Sequence, residues 1–443
     1  RARADAGGRV QGGSFGALSA AADAGLVEGP YSARVSAGHD RSDGHRTGTD
    51  HETTQARITA DAPLAGGALR LDAGHARRDF GANAFYAPFD SYEETRTTTS
   101  SLSWKSSGMT TTVEPRVSYR RHEDDFILRR DDPSFYRNVH TTQQWSGELV
   151  TRWVPRSDMR IALGGEAVRS SIESSSLGER SEDRGALFAE FAAGTAEASL
   201  FTAGLRLDRH ERFGTHLSPS LAAGYAIAPS FRLRASAGTG FRAPTWTERY
   251  YTDPANIGDP DVAPEQFWTV ELGTEVRRGS AVLEVAAFLR EADDLIDWGR
   301  PEGAAPTAPW RTMNVEHATF RGVEGGLRTA AGPVAINARA SLLSVDADET
   351  AGLASKYALR PLTRTASLEV SAPLGPVRLA VRGAHFRRES GGEWGLLDAR
   401  VSGRAGAFEL FADATNLLDA EYRDVTEQVA PGRAFSLGLR VRR

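Results

Sequence analysis

RASAGTGFRAPTWTERYYTDPANIGDPDVAPEQFWTVELGTEVRRGSAVLEVAAFLREADDLIDW, residues 234–298, is the stretch that decides the fold. From Phe231 the chain alternates, with Leu233, Ala235 and Ala237 interleaved with Arg232, Arg234 and Ser236. One dry face and one wet face at every second residue is the period of a strand. A turn-rich segment follows at residues 242–265, carrying Pro244, Pro254, Gly258, Pro260 and Pro264. Alternation then resumes, with Trp268, Val270, Leu272 and Val276 on one side and Thr269, Glu271, Glu275 and Arg277 on the other. Arg278 and Gly279 suffice to reverse the chain into a third alternating run, which is hairpin spacing. The unit therefore has a long loop at one end and a minimal turn at the other.

The same grammar extends in both directions. Upstream, alternating runs occupy residues 2–10, 14–23, 31–40, 51–61, 69–79, 92–106, 109–122, 138–153, 157–172, 182–194, 197–210 and 215–227. Downstream come a run ending at Arg328, then 334–346, 356–371, 376–388, 394–404, 407–417 and 433–442. No amphipathic helix of convincing length interrupts them. The count is about 22 strands, most of them long enough to supply the roughly 9–11 tilted residues that cross hydrocarbon. Connectors divide by parity: SG, VPR, TA, APS, RG and AG are short, and the alternate set is long and irregular. Short turns on one side and long loops on the other, with an even strand count, describe an antiparallel up-and-down transmembrane β-barrel. A soluble propeller or large sandwich also alternates, but propellers carry blade repeats and none is found here.

Composition is compatible with this reading. Apolar residues make up 40% of the 443, mean hydropathy is -0.39, and no run approaches the roughly 18 apolar residues of a membrane helix. A barrel tolerates such a low mean because only every second residue faces lipid. With 53 basic and 58 acidic residues, net charge -5, a nucleic-acid partner is not expected. The chain has no cysteine, so no thiol or disulfide argument arises. Lys105 and Lys356 are the only lysines, an arginine bias that reads as genome composition. No leader precedes Arg1, so a mature, processed or excised chain is expected. In the last run Phe435, Leu437, Leu439 and Val441 should face lipid, with Ser436, Gly438, Arg440 and Arg442 facing the lumen. Trp104, Trp145, Trp153, Trp268, Trp298, Trp310 and Trp394 fall near strand ends, where interfacial aromatic girdles lie.

Five stretches carry a family resemblance: GTGFRAPTWTERYY, NIGDPDVAPEQFWTVELG, AAFLREADDLIDW, MNVEHATFRGVEGGLR (313–328) and the ending FADATNLLDAEYRDVTEQVAPGRAFSLGLRVRR from Phe411. In order and spacing they resemble the barrel of TonB-dependent outer-membrane receptors, and within these the cobalamin-receptor branch, over roughly the whole chain. The resemblance implies an outer-membrane location and capture of a scarce nutrient complex, cobalamin first and a ferric siderophore second, with uptake energised through TonB. It implies outer-membrane lipid and the small-molecule complex as partners of a monomer. Residues 1–443 are expected to be the barrel domain alone. The family's N-terminal plug, which contacts TonB, is absent from this chain, so TonB would be reached only through that missing domain. A second departure is the ending Val441-Arg442-Arg443, where the family commonly closes on an aromatic residue; either the end is trimmed or assembly relies on Phe435.

Chemistry is sparse. External loops offer Phe85, Tyr86, Asp90, Tyr92, Phe126, Tyr136, Trp246, Tyr250, Tyr251 and Trp310 as candidates to grip a large, partly apolar, hydrogen-bonding solute. The competing account is that these aromatics pack the loops against one another. Asp40, Asp43 and Asp50 form a weak candidate metal set, and His122, Glu123, Asp124, Asp125, Asp131 and Asp132 another, neither with EF-hand spacing. Calcium ordering of early external loops is a trait of the cobalamin branch, but the loop at 40–50 is short; no other cofactor is implied. The ten histidines show no paired-ligand spacing. Gly238–Gly240 is no phosphate loop, since Pro244 follows and no helix signal does. A plugless diffusion pore is the alternative transport function. A barrel-embedded hydrolase is the enzyme alternative, yet no G-x-S-x-G elbow is expected and nothing selects a nucleophile among the many serines.

The facing assignment is testable. Leu437→Arg is expected to cost folding into lipid vesicles about 2–4 kcal/mol, as for an arginine at mid-bilayer, with Ser436→Arg near neutral. Equal yields of folded barrel from the two variants after dilution from urea would reverse the assignment.

Overall fold

A computed structural model of the chain describes residues 2–442 apart from 86–87, 196–197, 254, 306, 348–351, 390, 424 and 426. Neighbouring strands hydrogen-bond antiparallel from Arg3–Gly13 onward, and the last strand, Ala434–Arg442, pairs back onto the first from Gly7↔Arg442 to Gly13↔Ser436. The sheet is thus a closed barrel of 22 strands. Two shorter strands, Asn256–Ile257 and Leu353–Ser355, belong to loops and attach to the wall from the side of the mouth. Closure leaves no unpaired edge to lipid, which a spanning sheet requires.

Connector parity is as expected. On the side of Arg3 and Arg442 the strands are joined by turns such as 29–30, 65–66, 229–230, 279–280 and 332–333. Gly279 and Gly332 hold φ of 58° and 61° there, a left-handed conformation that a Cβ would disfavour. On the opposite side lie the long connectors 243–264, 348–361 and 416–433. The expected facing of the last strand also holds: Phe435 and Leu437 are 54% and 58% exposed on the outer surface. Ser436 faces inward, accepting from Gln11 Nε2 at 2.5 Å, and Arg440 stands 3.6 Å from Glu409 on the inner wall. Further inner-wall pairs include Arg34 with Asp5 and Arg206 with Glu166.

At the mouth most strands run longer than the alternation predicts. Strands run from 8 residues at Phe408–Thr415 to 22 at Trp310–Ala331. The Ser-rich loop expected up to Ser181 shrinks to residues 175–177, because Met159–Ser174 and Gly178–Gly194 stay paired above the membrane. The strand expected at 356–371 begins only at Leu362, and residues 356–361 turn inward instead. The segment 242–265 contains one helical turn, Trp246–Tyr250, opened by a capping box in which Thr245 Oγ1 accepts from Glu248 N and the Glu248 carboxylate accepts from Thr245 N. The girdle also needs correction. Trp145, Trp153 and Trp268 face out, whereas Trp298, Trp310 and Trp394 lie inside the mouth. Once strands overrun the bilayer, a strand end no longer marks the membrane interface.

The inner wall repeats one packing device. Phe188, Phe267, Phe288 and Phe411 each sit directly opposite a glycine of the neighbouring strand, Gly164, Gly240, Gly322 and Gly438. Each ring lies flat across its glycine, so that a Cβ at Gly438 would come within 2.2 Å of the Phe411 ring. An arginine covers the other face in three cases: Arg206 over Phe188, Arg290 at 4.0 Å over Phe267 and Arg400 at 4.4 Å over Phe411. The ring shields backbone that glycine leaves bare, and the guanidinium gains a cation–π contact while keeping its edge in the wet lumen. Gly438→Val should therefore push Phe411 off the wall and cost about 1–3 kcal/mol, typical of overpacking. Gly383→Val, where an added Cβ meets nothing within 4 Å, is the control. Urea midpoints of the detergent-folded barrels decide: equal midpoints for the two variants would show that the ring is not held there.

Candidate functional site

Two long loops do not stand up from the rim but fold back into the mouth. The first, residues 243–264, is pinned by its helix. Arg249, 1% exposed, places Nη2 2.5 Å from Glu182 Oε1 on the strand Gly178–Gly194, between the rings of Phe213 and Tyr250. A buried charge is tolerable only when paired, so this contact ties the loop to the wall. Arg180 stacks 3.6 Å over the Tyr250 ring, and Arg212 donates to the Tyr250 hydroxyl at 3.0 Å and to Pro260 O at 2.7 Å. Asp253 Oδ1 accepts from Ala255 N and Asn256 N, closing a turn that delivers Asn256–Ile257 to pair in parallel with Trp310 and Arg311.

The second loop enters from the other side. Leu353–Ser355 pairs with Gly299, Arg300 and Pro301. Asp297, 2% exposed, accepts from Ser355 Oγ and from the backbone N–H groups of Trp298, Tyr357 and Ala358, a set that fixes the turn after Ser355. Ala358 and Leu359 then pack on a small apolar core of Ala292, Leu295, Val315 and Ala318.

Between these loops and the wall lies a cleft of about 440 Å³. Phe126, Ile172, Leu177, Tyr251, Trp298 and Tyr357 give it apolar surface; His122, Asp124, His140, Asn256 and Lys356 give it polar groups. Asp124 and His140 are direct cross-strand partners, and Asp124 Oδ1 is shielded from solvent without a hydrogen-bond partner among the described residues. Burial raises the Tyr251 phenol above its ordinary pKa, with a further contribution from its hydrogen bond with Tyr136, and burial likewise raises Tyr357. Both remain protonated donors at any physiological pH.

The expected contact residues separate into groups. Phe126 and Tyr251 line the cleft. Tyr136 stands behind it, since Asn138 Nδ2 donates both to the Tyr136 hydroxyl at 3.0 Å and to the Tyr251 hydroxyl at 3.2 Å. Trp310 forms part of its rim, stacked 4.2 Å from the Arg300 guanidinium. Tyr250 and Trp246 belong to the helical turn, with Tyr250 held among arginines. Asp90 and Tyr92 form a separate cluster around Arg130, whose guanidinium lies 4.2 Å over the Tyr92 ring and whose backbone N–H donates to Asp90 O. Phe85 is exposed in that loop, and Tyr86 lies outside the described residues. Tyr92, Phe126 and Trp310 are strand residues, not loop residues, again because the strands overrun the membrane.

The acids of the early loops have separate neighbours. Asp50 accepts both Arg130 Nη1 and Nη2, at 2.6 and 2.9 Å, and those bonds hold its carboxyl below the usual range. Asp40 lies 2.7 Å from His51 Nε2 on a strand, and the Asp43 carboxylate packs against Gly16. Glu123, Asp125 and Asp131 pair with Arg121, Arg137 and Arg129. Among the described residues no group of three His, Asp or Glu gathers as a metal set. Against the expectation of no G-x-S-x-G, Gly12-Gly13-Ser14-Phe15-Gly16 matches that pattern by letter. It is a strand-to-strand turn in which Ser14 Oγ accepts from Phe435 N, not the strand-to-helix elbow of a hydrolase. The sequence reading also missed His140, Asn256, Tyr357 and Lys356 as cleft residues. Only Lys356 carried a signal, the rarity of lysine in this chain.

The family model for the TonB dependent receptor-like beta-barrel matches residues 3–436. A vitamin B12 transporter BtuB of Photobacterium profundum is 31% identical over 124 residues, 28% of this chain and 20% of that protein. The iron-regulated outer membrane virulence protein of Vibrio cholerae is 28% identical over 201 residues, 39% of this chain and 30% of that protein. The aligned part thus spans less than a third of either relative's length. Among solved structures, the copper transporter OprC superposes with a TM-score of 0.83 at 16% identity, covering 100% of this chain and 81% of that one. The siderophore receptor PirA of Pseudomonas aeruginosa gives 0.79 at 15%, covering 100% and 80%. BtuB and OprC are named as transporters and PirA as a siderophore receptor. The chain belongs to the TonB dependent receptor-like beta-barrel family and is an outer-membrane β-barrel.

Proposed function

We propose that this barrel is the membrane domain of a receptor that captures a scarce nutrient complex at its outer mouth and admits it when energised through TonB. The observation that carries the reading is the mouth cleft, where two loops fold back to place aromatic faces and a few polar groups around a space of ligand size. A receptor needs such a construction to hold its solute before passage, with apolar surface and hydrogen-bonding groups facing it. The solute class follows the relatives, a corrinoid or a ferric chelate, and TonB coupling would act through a plug domain joined to this barrel.

The test is uptake by this barrel joined to its plug domain in a Gram-negative host stripped of its own corrinoid and siderophore receptors, with labelled cyanocobalamin and labelled ferric siderophores, in TonB-positive and TonB-negative backgrounds. Accumulation of one class only when TonB is present is the expected result. Tyr251→Ala with Phe126→Ala should then weaken half-saturation by about thirtyfold or more, since burial of each aromatic contributes on the order of 1–2 kcal/mol. Equal TonB-independent leakage of both solute classes would establish the diffusion pore instead.

A further inference from the structure

Lys356 occupies an unusual position for a cation. Its Nζ donates to Asn256 Oδ1 at 2.9 Å and lies 5.2 to 5.9 Å from the ring centres of Tyr357, Trp310 and Trp298. Among the described residues no carboxylate comes within ion-pair distance of it. The two nearest acids are already engaged: Asp253 accepts Ala255 N and Asn256 N, and Asp297 accepts Ser355 Oγ and three backbone N–H groups. Burial lowers the lysine's pKa, and Arg300 adds to that, against the pull of Asp253 and Asp297. A half-buried ammonium with three donors and one acceptor is short of partners. Ring faces compensate it only in part.

We propose that Lys356 is the anchoring cation of the cleft, and that the solute carries an anionic oxygen group, such as a carboxylate, phosphate or phenolate, on a flat apolar body. The far wall completes the description. There Asp124 keeps an acceptor oxygen without a partner, beside His122 and His140. The solute therefore presents an oxyanion toward Lys356, hydrogen-bond donors toward Asp124, and an apolar face to Trp298 and Tyr357 between them. Lysine suits the task, because a compact ammonium can meet a single oxygen in the space among the three rings. This proposal rests on the receptor reading and sharpens it, favouring an anionic chelate over a solute without net charge.

Tryptophan-fluorescence titration of the purified full chain in detergent tests it, with a trianionic ferric tris-catecholate and with cyanocobalamin as probes. The expected result is saturable binding of the tris-catecholate, weakened about tenfold or more in Lys356→Met and largely restored in Lys356→Arg, with unchanged thermal unfolding. Tris-catecholate binding that Lys356→Met leaves unchanged overturns the anchor and leaves the receptor standing. So does binding of cyanocobalamin alone, or an equal loss of both probes in Lys356→Met, which would mark a structural role. Binding of neither probe overturns the receptor reading of the cleft and this proposal with it.

Discussion

Everything in this molecule depends on the hydrogen bonds between its first and last strands. Lipid offers backbone amides no partner, so a sheet can cross it only if the strand Arg3–Gly13 finds Ala434–Arg442. Closure then fixes the rest. It makes the strands antiparallel neighbours throughout, sends alternate side chains to lipid and lumen, and confines irregular chain to the two ends. That the inner wall can be built from glycine, phenylalanine and arginine follows from the same constraint. An interior that must stay wet cannot be filled with aliphatic side chains, so rings lying flat on glycines protect the ladder without blocking the passage.

How much of this was legible in the sequence depends on range. Period-two alternation is a local property, so the strands, the parity of their connectors and the outward face of Phe435, Leu437 and Leu439 could be read directly. What failed was the inference from strand end to membrane interface. Trp298 and Trp310 sit on the two longest strands, which stay paired well beyond hydrocarbon, and only the register places them inside the mouth. The inward fold of residues 243–264 depends on Glu182 meeting Arg249 across 67 positions of sequence, and no local pattern announces such a meeting.

The candidate site was legible in part for the same reason. Phe126 and Tyr251 could be named because aromatic residues in external segments are candidate ligand contacts by type alone. Their companions His140, Asn256 and Tyr357 carry no individual signal and reach the cleft through pairing registers and turns. The sequence-based set mixed two roles, those that line the cleft and those, like Tyr250, that fasten the loop around it. Distinguishing them required knowing which face of each ring was already covered by an arginine.

The loop 243–264 leaves the rim between two neighbouring strands, yet it is fastened elsewhere at three points: to Gly178–Gly194 through Arg249, to Arg137–Arg156 through Tyr251, and to Trp310–Ala331 through Asn256. It therefore acts as a tie-beam across the mouth. A bare hoop of strands flattens easily into an oval, whereas a hoop with a chord across it resists ovalisation and transmits a pull at one fastening to the others.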